Sequence, residues 1–212
     1  MKMTVLYPFM EDSFSENTLS FIQTLSLLQQ SKAIDMLVTV DKAGRTAEAL
    51  KKARIPYEQI SFAKPVGMRD FYPAALIKLI RSSLPSFFYF KENEITVMHC
   101  PDILSLLCWG NTSKMNRVPF VTSIQESEKF SHYVRLMLAD SKKLICRNED
   151  IRNTIPSRFS SIALLAPQAQ DVPENQTPET ARKHIVDFWI QLYASLFIKP
   201  DLSKITGILN KN

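Results

Sequence analysis

Short β-branched runs alternate with longer stretches of helical spacing along most of the chain. Thr4 to Tyr7 is an apolar strand that Pro8 stops. A polar loop follows, in which Ser13 or Ser15 can cap a helix carrying Leu19, Ile22, Leu25 and Leu28. Asp35 to Val40 is a second strand, a helix follows from about Thr46 to Ala53, and Ile55-Pro56 reopens extended chain through Ile60 and Phe62. Pro73 opens a helix with Leu76, Ile77, Leu79 and Ile80 that Pro85 closes, and SFFYF then concentrates aromatic side chains.

The centre of the pattern lies between Glu94 and Glu126. Ile95 to Met98 is a strand, and the run breaks at His99-Cys100-Pro101-Asp102, where Pro and Asp suit the mouth of a helix. Ile103, Leu106, Leu107 and Met115 share a helical face, and FVTSI makes the next strand, ending at Gln125 and Glu126. A strand, helix, strand unit of this length closes as a right-handed parallel crossover. In an open α/β sheet ligands gather at the carboxyl ends of the strands, which here means His99 to Asp102 and Gln125 to Glu128.

Alternation continues through a helix at His132 to Ala139, a strand at Lys143 to Cys146, a short helix from Asn148 to Ile155 capped by Asn148, and a strand at Ile162 to Ala166. The whole predicts an α/β fold with a Rossmann-like doubly wound parallel sheet. Pro167 to Pro178 is polar, carries three prolines and reads as a linker. Beyond it Ile185, Phe188, Trp189, Leu192, Tyr193 and Leu196 form a wide apolar stripe that Pro200 ends. So bulky a face has to be covered, and packing back on the sheet is favoured over another protein. These boundaries divide the chain into a domain at 1–171, a linker at 172–178 and a C-terminal amphipathic helix region at 179–212.

Composition narrows the chemistry. The 212 residues suffice for one α/β domain, and only 4 are glycine, so there is no dinucleotide fingerprint and no P-loop. Three cysteines without ligand spacing, no signal peptide and no apolar run near the ~20 residues of a membrane span predict a cytoplasmic chain with reduced thiols. The net charge of +5 identifies no partner, and no nucleic-acid motif is present. The three histidines lack Cys, Asp or Glu at ligand spacing, so no metal is expected, and no G-x-S-x-G elbow occurs.

Four landmarks, in order, resemble the N-terminal, acceptor-side half of family 4 glycosyltransferases of the two-domain GT-B architecture. EITVMHC is similar to the family's fourth strand, with Glu94 in place of its Asp and His99 in place of its second His; RVPFVTSIQ, Arg117 to Gln125, resembles GIPLVVTVH. ADSKKLIC, Ala139 to Cys146, resembles AD-x-VI-x-VS, and Pro167 to Asp171 resembles the PNGVD before the interdomain hinge. The likeness covers Met1 to Asp171, and Ala181 to Phe197 looks like the last GT-B helix, which returns to pack on the first domain. Three departures stand out: no glycine between Pro8 and Glu16, Val97 where the family has its first His, and Arg147 in place of a Ser. No counterpart of the nucleotide-sugar domain follows the linker.

The resemblance implies an acceptor-binding domain or subunit in cell-surface glycan biosynthesis that needs a separate donor-binding chain to transfer sugar. The alternative is an inactive, degenerate glycosyltransferase serving as a partner-binding or regulatory subunit. On the first reading His99 is the catalytic candidate, and Asp102, Gln125, Glu126, Glu128 and Arg147 are candidate substrate contacts. Lys78, Arg81, Phe87 and Phe88 are candidates for touching a lipid-linked acceptor or the inner membrane surface. Expected partners are a donor-domain protein or a second copy of the chain, and a glycan or lipid-linked acceptor; no cofactor and no nucleic acid are expected.

Overall fold

In a computed structural model, residues 3–10, 12, 15–61, 84–125, 132–167 and 177–197 are described. Seven strands form one sheet: β1 (Thr4–Phe9), β2 (Asp35–Val40), β3 (Glu58–Gln59), β4 (Val97–Cys100), β5 (Phe120–Ile124), β6 (Lys143–Cys146) and β7 (Ala163–Leu165). The order is β3-β2-β1-β4-β5-β6-β7 and each recorded pairing is parallel. The connections reverse direction between β1 and β4, the topological switch of a doubly wound sheet.

Helices α1 (Glu16–Ser31), α2 (Arg45–Lys52) and α7 (Pro178–Phe197) cover one face. Helical backbone at 84–92 (α3), α4 (Ile103–Met115), α5 (His132–Ala139) and α6 (Glu149–Thr154) cover the other. Parallel strands bury both faces, and the period of two divides the core accordingly. Val5, Tyr7 and Val97 point toward α1 and α7, while Leu6, Met98 and Cys100 point toward α4.

Four sequence expectations are corrected here. Pro8 does not stop β1, because its missing N–H falls on the β4 side, where pairing already ends at Leu6↔Met98; pairing with β2 runs on through Pro8↔Thr39 and Phe9↔Val40. The strand expected at Ile95 to Met98 lies at Val97–Cys100, so His99 is inside a fully buried strand and not in a polar loop. Met115 is more than half exposed, and α4 instead buries Leu106, Trp109 and the small polar residues Ser105, Thr112 and Ser113. Pro85 lies within helical backbone rather than closing a helix, and the helix predicted from Pro73 lies outside the described residues.

The apolar stripe of α7 is covered by its own domain. Ile185, Trp189, Leu192 and Tyr193 are buried against Phe21, Val97 and the rest of the α1-side core. At about 1.5–3 kcal/mol per large apolar side chain, that burial is ample to hold the helix in place.

Candidate functional site

The carboxyl edge of the sheet gathers most of the described candidates. β4 leads into Pro101 and Asp102, and Asp102 is the N-cap of α4: its Oδ1 accepts the Ser105 N–H at 2.6 Å and the Ser105 hydroxyl at 2.8 Å. Ser105 Oγ in turn accepts the Met10 N–H at 3.3 Å, which ties the segment after β1 to the segment after β4 across the switch point. In the same region Asp12 Oδ1 accepts the Thr46 N–H at 3.2 Å. A Cβ on Gly44 would fall 2.1 Å from that carboxylate, so any other residue here would push the Asp12 side chain out of its present position.

Beyond the ends of β5, β6 and β7 lies a small cleft of ≈ 40 Å³. β5 brings Ser123 and Gln125 to it, β6 brings Arg147, α1 brings Asn17 and α7 brings Trp189. The Asn17 amide donates to the Gln125 carbonyl at 3.1 Å and accepts from the Arg147 guanidinium. Gln125 Nε2 donates to the Pro101 carbonyl at 2.5 Å. Arg147 and Gln125 therefore share the cleft, with Asn17 between them.

His99 stands behind this cleft. Its side chain is wholly buried, within 4.9 Å of the Phe21 ring centroid and 5.1 Å of that of Trp189. Nδ1 lies 2.7 Å from the Tyr193 hydroxyl and Nε2 lies 2.8 Å from Ser123 Oγ. Burial disfavours the imidazolium and lowers the His99 pKa to about 3, so the ring is neutral at physiological pH. Its reach toward the cleft runs through Ser123. The Tyr7 hydroxyl nears that of Tyr193 without hydrogen-bond geometry, and burial raises the pKa of both phenols.

The other candidates are dispersed. Phe87 and Phe88 sit on α3, whose Phe90 enters the core on the α4 side of the sheet, away from the cleft. Phe88 is 57 % exposed, and Lys91 Nζ is 5.7 Å from the Phe87 ring centroid. Lys78, Arg81, Glu126 and Glu128 lie outside the described residues. Cys100, Cys108 and Cys146 are free, and burial pushes the Cys108 thiol up to about 12 and that of Cys146 up to about 11. Among the described residues no three His, Cys, Asp or Glu side chains could hold a metal ion, and no helix is long and apolar enough to cross a membrane.

Sequence reasoning missed Ser123, Asn17 and Trp189 as cleft residues. Ser123 carried a faint signal, being a hydroxyl at an inward position of an otherwise β-branched strand. Asn17 and Trp189 carried none, because each reaches the cleft from a helix whose pattern speaks only of packing.

The fold has well-defined relatives among solved structures. A complex of Alr3699/HepE from Anabaena with UDP and glucose superposes with a TM-score of 0.57 at 12% identity, over 77% of this chain and 44% of that one. The glycosyltransferase from Rickettsia africae ESF-5 gives 0.57 at 12% identity, over 89% and 50%. The apo form of the lipopolysaccharide outer core galactosyltransferase WaaB gives 0.55 at 13% identity, over 84% and 50%. The fold is that of the N-terminal-like region of GT-B glycosyltransferases. The chain spans about half the length of these structures. No protein-family model matches it, and no curated protein does. At such identities the GT-B likeness establishes architecture alone.

Proposed function

We propose that the chain is the acceptor-side domain of a family 4-type GT-B glycosyltransferase in cell-surface glycan biosynthesis, completed for sugar transfer by a separate donor-binding chain or domain. One observation carries the reading: the doubly wound β3-β2-β1-β4-β5-β6-β7 sheet overlays half-length segments of GT-B structures, with Ser123, Gln125 and Arg147 around a cleft at its carboxyl edge. Glycosyl transfer requires an acceptor hydroxyl held in line with the anomeric carbon while charge on the leaving diphosphate is neutralised. In this proposal Gln125 and Arg147 contact the acceptor together with Glu126 and Glu128, and Asp102 keeps the opening of the site fixed by capping α4. His99 supports the reacting groups from behind. Lys78, Arg81, Phe87 and Phe88 hold a lipid-linked acceptor or the cytoplasmic membrane surface.

A second reading, a non-catalytic partner subunit, is favoured by a specific observation: the histidine at the family's conserved-looking landmark is enclosed by Phe21, Trp189 and Tyr193 and presents no free nitrogen. Calorimetric titration with nucleoside diphosphates and nucleotide sugars separates the two, carried out on the chain alone and with any co-purifying protein. The enzyme reading expects no binding alone, and binding with transfer in company. Silence in both would overturn it in favour of the partner subunit, and tight nucleotide binding by the chain alone would overturn the division of labour.

A further inference from the structure

We propose that Tyr193 is a positioning residue: acting from α7 through His99, it commits the Ser123 hydroxyl to donate into the cleft, toward an oxygen lone pair of the bound acceptor. This rests on the acceptor role proposed above and excludes Ser123 as a base-activated nucleophile.

A serine oxygen 2.8 Å from a histidine Nε2, with a third group on Nδ1, has the outline of a nucleophile, its base and an orienter. In that arrangement the third group takes a proton from Nδ1, so Nε2 is bare and draws on the serine. Here the third group is a phenol with a proton of its own to place. Burial disfavours the phenolate, so Tyr193 keeps that proton at physiological pH. Neutral imidazole has one N–H and one bare nitrogen, and the relay from Tyr193 through His99 to Ser123 can run in only two directions. If Nδ1–H donated to Tyr193, the phenolic O–H would be left without an acceptor in a wholly buried position. Passing it to the Tyr7 oxygen would only strand the Tyr7 proton in its place, and Tyr7 is wholly buried as well. A stranded buried donor bears the full cost of its desolvation. In the opposite direction Tyr193 donates to Nδ1, Nε2–H donates to Ser123 Oγ, and the proton left over is the serine's, at the cleft, where Ser123 is 8% exposed. That direction adds no stranded donor to the core.

The polarity comes from this buried relay and not from the wall of the cleft. Ser20 and Thr24 line the cleft too, and the Thr24 hydroxyl donates to the Ser20 carbonyl at 3.2 Å, which leaves its own oxygen as an acceptor. Ser20 and Arg147 have interactions of their own, and the Asn17 amide has both ends engaged. Donors and acceptors are therefore mixed around the opening. Ser123 alone has its direction set from behind, His99 being the hydrogen-bond partner of its Oγ among the described residues. At ≈ 40 Å³ the cleft admits a hydroxyl or hydroxymethyl group and not a sugar ring. A sugar hydroxyl entering it accepts from Ser123 with a lone pair and keeps its own proton for another group, since Nε2 is already protonated.

The test is the imidazole ¹H–¹⁵N spectrum of the full chain at neutral pH, which holds three histidines, with His99 assigned through His99→Gln. Protonated and bare ring nitrogens resonate far apart, so the tautomer is read directly. Expected are a protonated Nε2 and a bare Nδ1. In Tyr193→Phe the phenolic proton is gone, each direction leaves Nδ1 unpartnered, and the two nitrogen signals should move toward each other as both tautomers are populated. Nδ1–H in the unaltered chain would overturn the direction, and an unmoved tautomer in Tyr193→Phe would overturn Tyr193 as its source. Glucose is then titrated in. A lone pair accepting from Ser123 strengthens the bond behind it, so the Nε2 proton should shift downfield saturably, and should not do so in Ser123→Ala. The expected tautomer without that shift would overturn the contact with the acceptor and leave Tyr193 a structural residue. The shift without sugar transfer in any donor company would keep the positioning and dismiss the acceptor role.

Discussion

Trp109 and Trp189 are equally buried and sit on opposite faces of the sheet, yet they end in different states. Trp109 on α4 packs against Phe90 and Tyr89, at ring distances of 5.9 and 6.0 Å, and its N–H is 3.4 Å from the Met10 sulfur. Trp189 on α7 stacks at 5.8 Å on Tyr193 and leans on His99, and its N–H has no partner. Around Trp109 the α4 side is a closed core whose unmet buried side-chain atom, among the described residues, is Asn116 Oδ1 at the end of α4, whereas the α7 side buries a polar relay and two unmet groups, the Trp189 N–H and the Tyr7 hydroxyl, beside a cleft. An unmet donor inside a well-packed region calls for an explanation, and the cleft beside Trp189 offers one.

The comparison breaks most readily on the scaffold side. Trp109→Ala removes a ring enclosed by α3, α4 and the sheet and should cost about 3–5 kcal/mol, measured as a drop in urea midpoint at unchanged slope. A cost below about 1.5 kcal/mol would mean that the α4 side is as loosely completed as the α7 side, because a collapsible pocket is the way such a loss is softened.

The relay gives a pH signature of its own. His99 has a folded pKa near 3 against an ordinary 6.5, so below pH 6.5 the unfolded chain takes up a proton that the folded chain refuses. This contribution is absent above pH 6.5, and stability falls as pH drops from 6.5 toward 3. Between pH 6.5 and 5, where most carboxylates remain ionised, the loss attributable to His99 should reach about 2 kcal/mol. Subtracting the curve of His99→Gln isolates it. A slope identical in the two proteins would show that His99 is hydrated in the folded state and the α7 side more open than described.

Tyr193→Phe is the gentler probe of the same relay. It keeps the ring that stacks on Trp189 and deletes the hydroxyl bonded to Nδ1, so about 1–2 kcal/mol should be lost. If stability is unchanged, the Tyr193 hydroxyl is not the donor that orders the relay.

What was legible in the sequence divides along the same line. The bounds of β2 and β6 match the observed strands residue for residue, and the strand FVTSI is β5, because parallel strands write their burial into continuous apolar runs. The α7 stripe was legible for a similar reason: six bulky residues on one helical face can satisfy a period only by being covered. The site was much less so. Pro101-Asp102 correctly announced a helix mouth, and Asp102 is its cap. His99 read as a loop residue since a polar side chain beside that mouth ordinarily is one; its partners Ser123 and Tyr193, 24 and 94 residues away, could not be guessed from spacing. Gln125 and Arg147 share the cleft, while Asn17 and Trp189 reach it from helices chosen for other reasons.

The smallest expected effect also bears on which side is finished. Arg54, Glu94 and Arg117 have φ of 56°, 48° and 57°, each just past a helix end where glycine is usual. After α4, the Arg117 N–H donates to the Lys114 carbonyl and the Val118 N–H to that of Ser113, closing the turn with the apolar contact that accompanies it. A left-handed non-glycine residue costs about 1–2 kcal/mol, and glycine gives back roughly half of that through the extra freedom of the unfolded chain. Arg117→Gly should therefore raise stability by about 0.5–1 kcal/mol, seen as a rise in urea midpoint. The gain depends on the Val118–Ser113 turn already being well formed, as it must be if the α4 side is a closed core. A loss of stability would show that the Arg117 side chain contributes more than its backbone costs, and that this edge of the scaffold relies on a surface contact rather than on its turn.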